Sequence, residues 1–172
     1  MTSFDQFLNW GPFSRVRRNH GLEHATLAVL AEKNPRLRMA GYSDPRGFWL
    51  IGEIETEEVR EGVHQALSRL RGGEHNLAIH PHCGTNLVTA GFLAGAFAWM
   101  GMLGAGRTSR ERFERLPLVI SLVTLGMMVA QPLGPKVQER VTTSADTRGL
   151  SVTSIERVNR GEVPLHRVLT HS

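Results

Sequence analysis

Apolar residues follow two different patterns along this chain. From Thr85 to Gly106 (TNLVTAGFLAGAFAWMGMLGAG) there is no charged residue, and from Leu116 to Pro135 (LPLVISLVTLGMMVAQPLGP) there is none either. The first run predicts about 33 Å of helix at roughly 1.5 Å per residue, against a hydrocarbon core about 30 Å thick. The second has Pro117 in its first turn and Pro132 and Pro135 at its end, where proline is tolerated or marks a stop. Between them Arg107–Arg115 (RTSRERFER) is long enough only for a tight connection. The two runs therefore predict a transmembrane helical hairpin. Gly91 and Gly95 are spaced small-xxx-small, which allows a neighbouring helix to approach closely.

Elsewhere the pattern is periodic. Ser14–Lys33 predicts a helix with Ser14 as N-cap, ended by Asn34-Pro35. Arg36–Tyr42 and Phe48–Ile54 predict strands joined through the turn residues Ser43-Asp44-Pro45-Arg46-Gly47. A second helix is expected over Glu57–Leu70, with Thr56 as cap and Val59, Val63, Leu67 and Leu70 as its apolar stripe. Asn76–His80 predicts a short strand, and Leu150–Val158 and Val163–Leu169 two more around a turn at Asn159–Glu162. The fold expected is α+β with an inserted transmembrane helical hairpin, the soluble part holding two helices and about five strands. Residues 1–84 form its N-terminal part, 85–135 the hairpin (85–106 and 116–135), and 136–172 a C-terminal β-hairpin. Two spans put 1–84 and 136–172 on one face of the membrane, so one sheet can take strands from both.

Composition sharpens the picture in three places. The net charge of +4, nearly all arginine, suits anionic headgroups. No basic stripe interleaved with aromatics marks a nucleic-acid surface. The single cysteine, Cys83, excludes an internal disulfide and favours a reducing compartment. The start of the chain (MTSFDQFLNWGPF) does not read as a secretory signal; Phe4, Phe7, Leu8 and Trp10 suit a short interfacial helix or a tail docked on the domain. The four arginines of the 107–115 loop favour a cytoplasmic loop. Basic residues near the other membrane ends, and the cost of exporting an 84-residue domain without a signal, favour a cytosolic domain instead.

The candidate chemistry lies in two clusters. His20-Gly21-Leu22-Glu23-His24 matches H-x-x-E-H. On a helix this puts two imidazoles on one face to bind one metal ion, with Glu23 within reach of a metal-bound water as general base. Gly21 costs the helix roughly 1 kcal/mol, which implies close approach by backbone or ligand. The second cluster is His75, His80, His82 and Cys83. Zinc needs three or four protein ligands. His80 and Cys83 are the leading additional candidates after His20 and His24, His82 comes next, and Glu57, Glu58, Glu61 and Glu74 are further carboxylates. The bland alternatives are histidines without a metal and a plain turn at the membrane surface.

HGLEHAT (His20–Thr26), AGYSDPRG (Ala40–Gly47) and HPHCGTN (His80–Asn86), followed by two spans, resemble an uncharacterised bacterial family of two-span membrane proteins, a domain of unknown function. That resemblance implies a two-span bacterial membrane protein and brings no established activity; the expected location is the bacterial inner (cytoplasmic) membrane, multi-pass. The H-x-x-E-H helix followed by a hairpin and a helix is also similar to the pitrilysin/insulinase metallopeptidases. This similarity implies zinc on His20 and His24 with Glu23 as base; the later glutamate that completes their site has no counterpart here. Three readings follow: a membrane-anchored zinc hydrolase, peptidase-like, at the bilayer surface; a non-enzymatic metal-binding membrane protein with a closed ligand set; or an assembly or scaffold factor. Its partners would be the lipid bilayer and a homo-oligomer or larger membrane complex through Gly91 and Gly95, with no nucleic acid.

Overall fold

The computed structural model describes residues 3–106, 108–158 and 164–171. The turn expected at Asn159–Glu162 and the strand start at Val163 lie outside the described residues, as does the Phe4 side chain. The chain divides into two units, residues 1–80 with 139–172, and residues 81–138.

The first unit is a two-layer α+β domain. A short helix, α1 (Ser3–Leu8), precedes the long α2 (Gly11–Lys33). Strands β1 (Ala40–Asp44) and β2 (Gly47–Ile51) form a hairpin, and α3 (Thr56–Arg71) follows. After the second unit come β3 (Ser151–Val158) and β4 (Leu165–His171). All four strands make one antiparallel sheet in the order β1-β2-β4-β3, with Phe48 opposite Val168 and Val168 opposite Ile155. Chain segments from either side of the second unit thus share one sheet.

Period-2 alternation sends Phe48, Leu50, Val168 and Ile155 to the face covered by α2 and α3. The helices meet this face with Leu22, Ala25 and Val29 from α2 and the expected stripe Val59, Val63, Leu67 and Leu70 from α3. Burying each large aliphatic side chain contributes about 1.5–3 kcal/mol. Gly62 lets α3 close on Leu30, because a Cβ there would fall 2.6 Å from Leu30 Cδ2.

Several expectations need correction. The sheet has four strands among the described residues, not five: His75–Ala78 is a 3-10 turn rather than part of a strand. Helix α2 starts at Gly11, with Pro12 in its first turn, so Ser14 is helical and not the cap. Thr56 is the first residue of α3, not its cap, and its hydroxyl meets His166 Nε2 at 3.1 Å.

The second unit contains α4 (Gly84–Met102), a short α5 (Ser109–Glu114) and α6 (Leu116–Val137), which continues as a π turn at Gln138–Thr142. Close approaches run in opposite directions along α4 and α6. Gly101 meets Val119, Gly126 meets the Leu93 carbonyl, and Gly134 meets Asn86, so the helices are antiparallel. Gly91 and Gly95 are not in this contact; a Cβ on either would meet nothing within 4 Å. Asn86 Oδ1 accepts a 2.6 Å hydrogen bond from Gln138, and Asn86 Nδ2 donates to the Pro81 carbonyl. The connection is more ordered than a plain turn. Thr108 and Glu111 form a capping box that starts α5.

Among the described residues one helix, Leu116–Thr142, is long and apolar enough to cross a membrane. Few of its side chains are covered, and Ile120 and Met128 are 63% and 62% exposed. On α4, Phe92 is 75% exposed and Leu87 77%. The surface of a soluble monomer rarely exposes so many large apolar residues together.

Candidate metal centre

One turn of α2 carries His20, Glu23 and His24. His24 and Glu23 are buried, and His20 is half-buried. The two imidazole rings lie 4.3 Å apart between centroids, edge to face. Each ring is oriented by a main-chain carbonyl. His24 Nδ1 lies 2.8 Å from the Ala78 oxygen, and His20 Nδ1 lies 3.0 Å from the Thr142 oxygen. A carbonyl can only accept, so each Nδ1 donates, and in the neutral ring that leaves the lone pair on Nε2. Histidine ligands to metals have this arrangement, with the outer nitrogen donating to a carbonyl and fixing the tautomer.

Two local features put those carbonyls in place. The 3-10 turn at His75–Ala78 ends at the residue whose carbonyl, Ala78 O, meets His24. The cost of Gly21 has a backbone explanation: a Cβ there would lie 2.2 Å from the Ser144 oxygen. Ser144 N donates to Arg17 O at 2.9 Å. The segment after the π turn therefore crosses α2 at Gly21, which brings Thr142 O to His20.

Glu23 faces β1. Ser43 Oγ donates to Glu23 Oε2 at 2.5 Å. A Cβ on Gly41 would fall on the same carboxylate, 2.1 Å from Oε1. Gly41 and Ser43 alternate along β1 and so face the same way. One supplies space for the carboxylate and the other a donor. Neither was singled out by spacing or motif, although both lie in AGYSDPRG. Asn19, fully buried, ties α2 to two strands: its Nδ2 donates to Asp44 O, and its Oδ1 accepts from Thr170. Asp44 also pairs with Arg167, whose guanidinium stacks over Trp49. Burial raises the Asp44 carboxyl, but Arg167 and the amides of Arg46 and Gly47 outweigh this and hold it below its ordinary value.

The remaining candidates divide. His80 comes to the same place, its ring 5.6 Å from that of His24. His20 and His24 offer ligand atoms within 4.8 Å of each other, and imidazole nitrogen is a donor that zinc takes, so the chemistry of this pair fits the metal, with His80 beside it. Cys83 and His82 belong to the second unit, where Cys83 Sγ caps α4 by accepting from Thr85 N. Glu57, Glu61 and Glu74 are exposed and paired with Arg60, Lys33 and Arg69. Glu58 and His75 are exposed as well.

A two-layer α+β domain carrying an H-x-x-E-H helix, with a helical hairpin inserted between its halves, is the class of protein these features define. The chain belongs to the family described as domain of unknown function (DUF6391), whose model matches residues 15–155. It is similar to an uncharacterised protein of Picosynechococcus sp. (strain ATCC 27264 / PCC 7002 / PR-6), 34% identical over 143 residues. That match covers 75% of this chain and 66% of the relative's length. No solved structure matches the chain.

Proposed function

We propose that this protein is a membrane-anchored zinc-binding protein whose H-x-x-E-H site works as a peptidase-like hydrolase at the bilayer surface. The observation that carries the reading is the pair of carbonyls, Ala78 O and Thr142 O, that turn both Nε2 atoms of the motif into donors on one helix turn. His20, His24 and His80 are the proposed ligands. Cys83 is the proposed fourth, on the strength of its position three residues after His80 in the sequence. Zinc, when bound, supplies a water whose pKa is lowered to about 7. Glu23 would take the proton of the attacking water, and Ser43 would hold its carboxylate in position.

The exposed apolar surfaces of α4 and α6 support a location in the bilayer. With α6 as one span and α4 as the second, the protein is multi-pass. We place it in the bacterial inner membrane with the α+β domain in the cytosol. Gly91 and Gly95, open on the surface of α4, are the proposed contact with another copy or a larger membrane complex.

The test is metal analysis of detergent-purified protein. We expect one zinc per chain in wild type and less than a tenth of that in His24→Ala. Wild-type protein without metal would reject the reading. Glu23→Gln should keep zinc and lose peptide hydrolysis. A specific observation favours a second reading: the Glu23 carboxylate is buried and already engaged by Ser43. Full zinc with no hydrolysis in the wild type would establish this non-enzymatic metal-binding alternative.

A further inference from the structure

The first unit holds a cleft of about 550 Å³, lined by Leu70 and Arg71 at the end of α3, by His75, and by residues 145–149. That volume lies in the range of small-molecule sites. None of His20, Glu23, His24 or His80 lines it, so it is a place separate from the metal centre.

The polar groups of the cleft are donors short of acceptors. Arg71 pairs with no carboxylate among the described residues; its Nη2 donates to the Leu150 carbonyl at 2.8 Å. One bond to a neutral oxygen holds the guanidinium in place, leaves its charge unmatched and leaves most of its N–H donors unused. Thr147 is 9% exposed and lines the cleft. Its carbonyl accepts from Leu150 N at 3.0 Å, but no described residue meets its hydroxyl. A hydroxyl so far buried has given up its water without a replacement. His75 adds an exposed imidazole.

The acid on the wall is already matched. Arg148 grips Asp146 through Nε and Nη2, both at 2.9 Å. This pairing holds the Asp146 carboxyl down to about 2, against a rise from burial. The wall is also fixed in shape: the Leu150 N–Thr147 O bond closes a turn with Gly149 at φ 72°, a conformation that favours glycine. The unmatched charge in the cleft is therefore positive, and its unused groups donate. Guanidinium donors match phosphate oxygens with charge-assisted bonds. A phosphate spreads its oxygens tetrahedrally, which suits donors from separate chain positions better than a flat carboxylate does. A bare phosphate is far smaller than the cleft, so the fitting ligand carries the group on an organic body.

We infer that this cleft binds a phosphate monoester, with Arg71, His75 and Thr147 on the phosphate oxygens and Leu70 and Ala145 against the organic body. The same group is offered by a soluble phosphate ester and by the headgroup of phosphatidic acid.

The experiment uses the full chain in phosphatidylcholine nanodiscs at fixed ionic strength. Glycerol phosphate is titrated and followed by calorimetry. We expect a Kd below about 1 mM, at least tenfold weaker binding in Arg71→Gln and in Thr147→Val, and no change in Arg157→Gln outside the cleft. Thr147→Val keeps the side chain's shape and removes its hydroxyl, so it reads the site even where Arg71→Gln loses its hold on Leu150 and unfolds. In a parallel arm, nanodiscs containing phosphatidic acid are read by phosphorus NMR. Saturable binding of glycerol phosphate identifies a soluble ligand. A headgroup shift that disappears in Thr147→Val, without binding of glycerol phosphate, identifies the lipid. Either result supports the site. No response to either probe would overturn the proposal, as would binding indifferent to Thr147→Val or equal affinity for glycerate, which offers a carboxylate instead.

Discussion

Gly21 and Ser144 touch backbone to backbone: a Cβ on Gly21 would sit 2.2 Å from the Ser144 oxygen. This contact decides the outcome of Gly21→Ala. In a free helix the exchange would stabilise by about 1 kcal/mol. Here the added methyl must push back a main-chain carbonyl, and such overpacking costs about 1–3 kcal/mol. We expect net destabilisation, a melting temperature lower by a few degrees, and reduced zinc content because Thr142 O moves away from His20. Thermal melts and metal analysis on one preparation check both effects.

Ser43 donates a part-buried hydrogen bond to the Glu23 carboxylate, and hydrogen bonds to charged groups contribute about 1.5–3 kcal/mol. Ser43→Ala should cost about that much, and the loss should depend on Glu23. In a double-mutant cycle with Glu23→Gln, measured by denaturant unfolding, the coupling is expected to exceed 0.5 kcal/mol. Strict additivity would show that the pair does not hold the carboxylate.

His166 is fully buried, with Nε2 against the Thr56 hydroxyl. Burial lowers its pKa, repulsion from Arg157 lowers it further, and Glu55 offsets part of this. The unfolded chain, titrating near about 6.5, then binds the proton more readily than the folded one. Stability is therefore greatest above that pH and falls as the pH drops through it, by up to about 1.4 kcal/mol per pH unit. His166→Gln should flatten the slope between pH 7 and 5, measured by urea unfolding in detergent with a chelator present.

Phe92 lies near the middle of α4 and is 75% exposed. If α4 spans the bilayer, Phe92→Arg places a charge among lipid tails, at a cost of about 2.5–3.5 kcal/mol on insertion scales. We expect a clear loss of membrane-integrated protein in a carbonate-extraction assay. Tolerance of the arginine would argue against a span at α4.

Much of the fold was legible because the signals were local and repeated. The stripe of α3 and the Asp44-Pro45-Arg46-Gly47 turn needed only spacing and turn chemistry. The segment Asn76–His80 misled because Leu77, Ala78 and Ile79 read as a strand. Leu77 and Ala78 are both buried, which successive residues of a half-buried strand cannot be but residues of a tight helical turn can. The capping box Thr108–Glu111 is present as T-x-x-E, but among arginines it carries no apolar run to mark a helix start. His20, Glu23 and His24 stood out by spacing. Ser43, Gly41 and the Thr142 carbonyl did not, because their part depends on contacts between segments distant in sequence.

That distance has a consequence for how the protein comes into being. His20 and Thr142 are 122 residues apart, and β2 finds its neighbour β4 only after the helical hairpin has been made. At roughly 5–20 residues per second, synthesis of the hairpin alone takes several seconds. Through that interval α2 has no β4 to share a core with and no carbonyl to turn His20. The oriented histidine pair is therefore completed last, and under the function proposed above bilayer insertion would come before the chain could hold a metal in finished form.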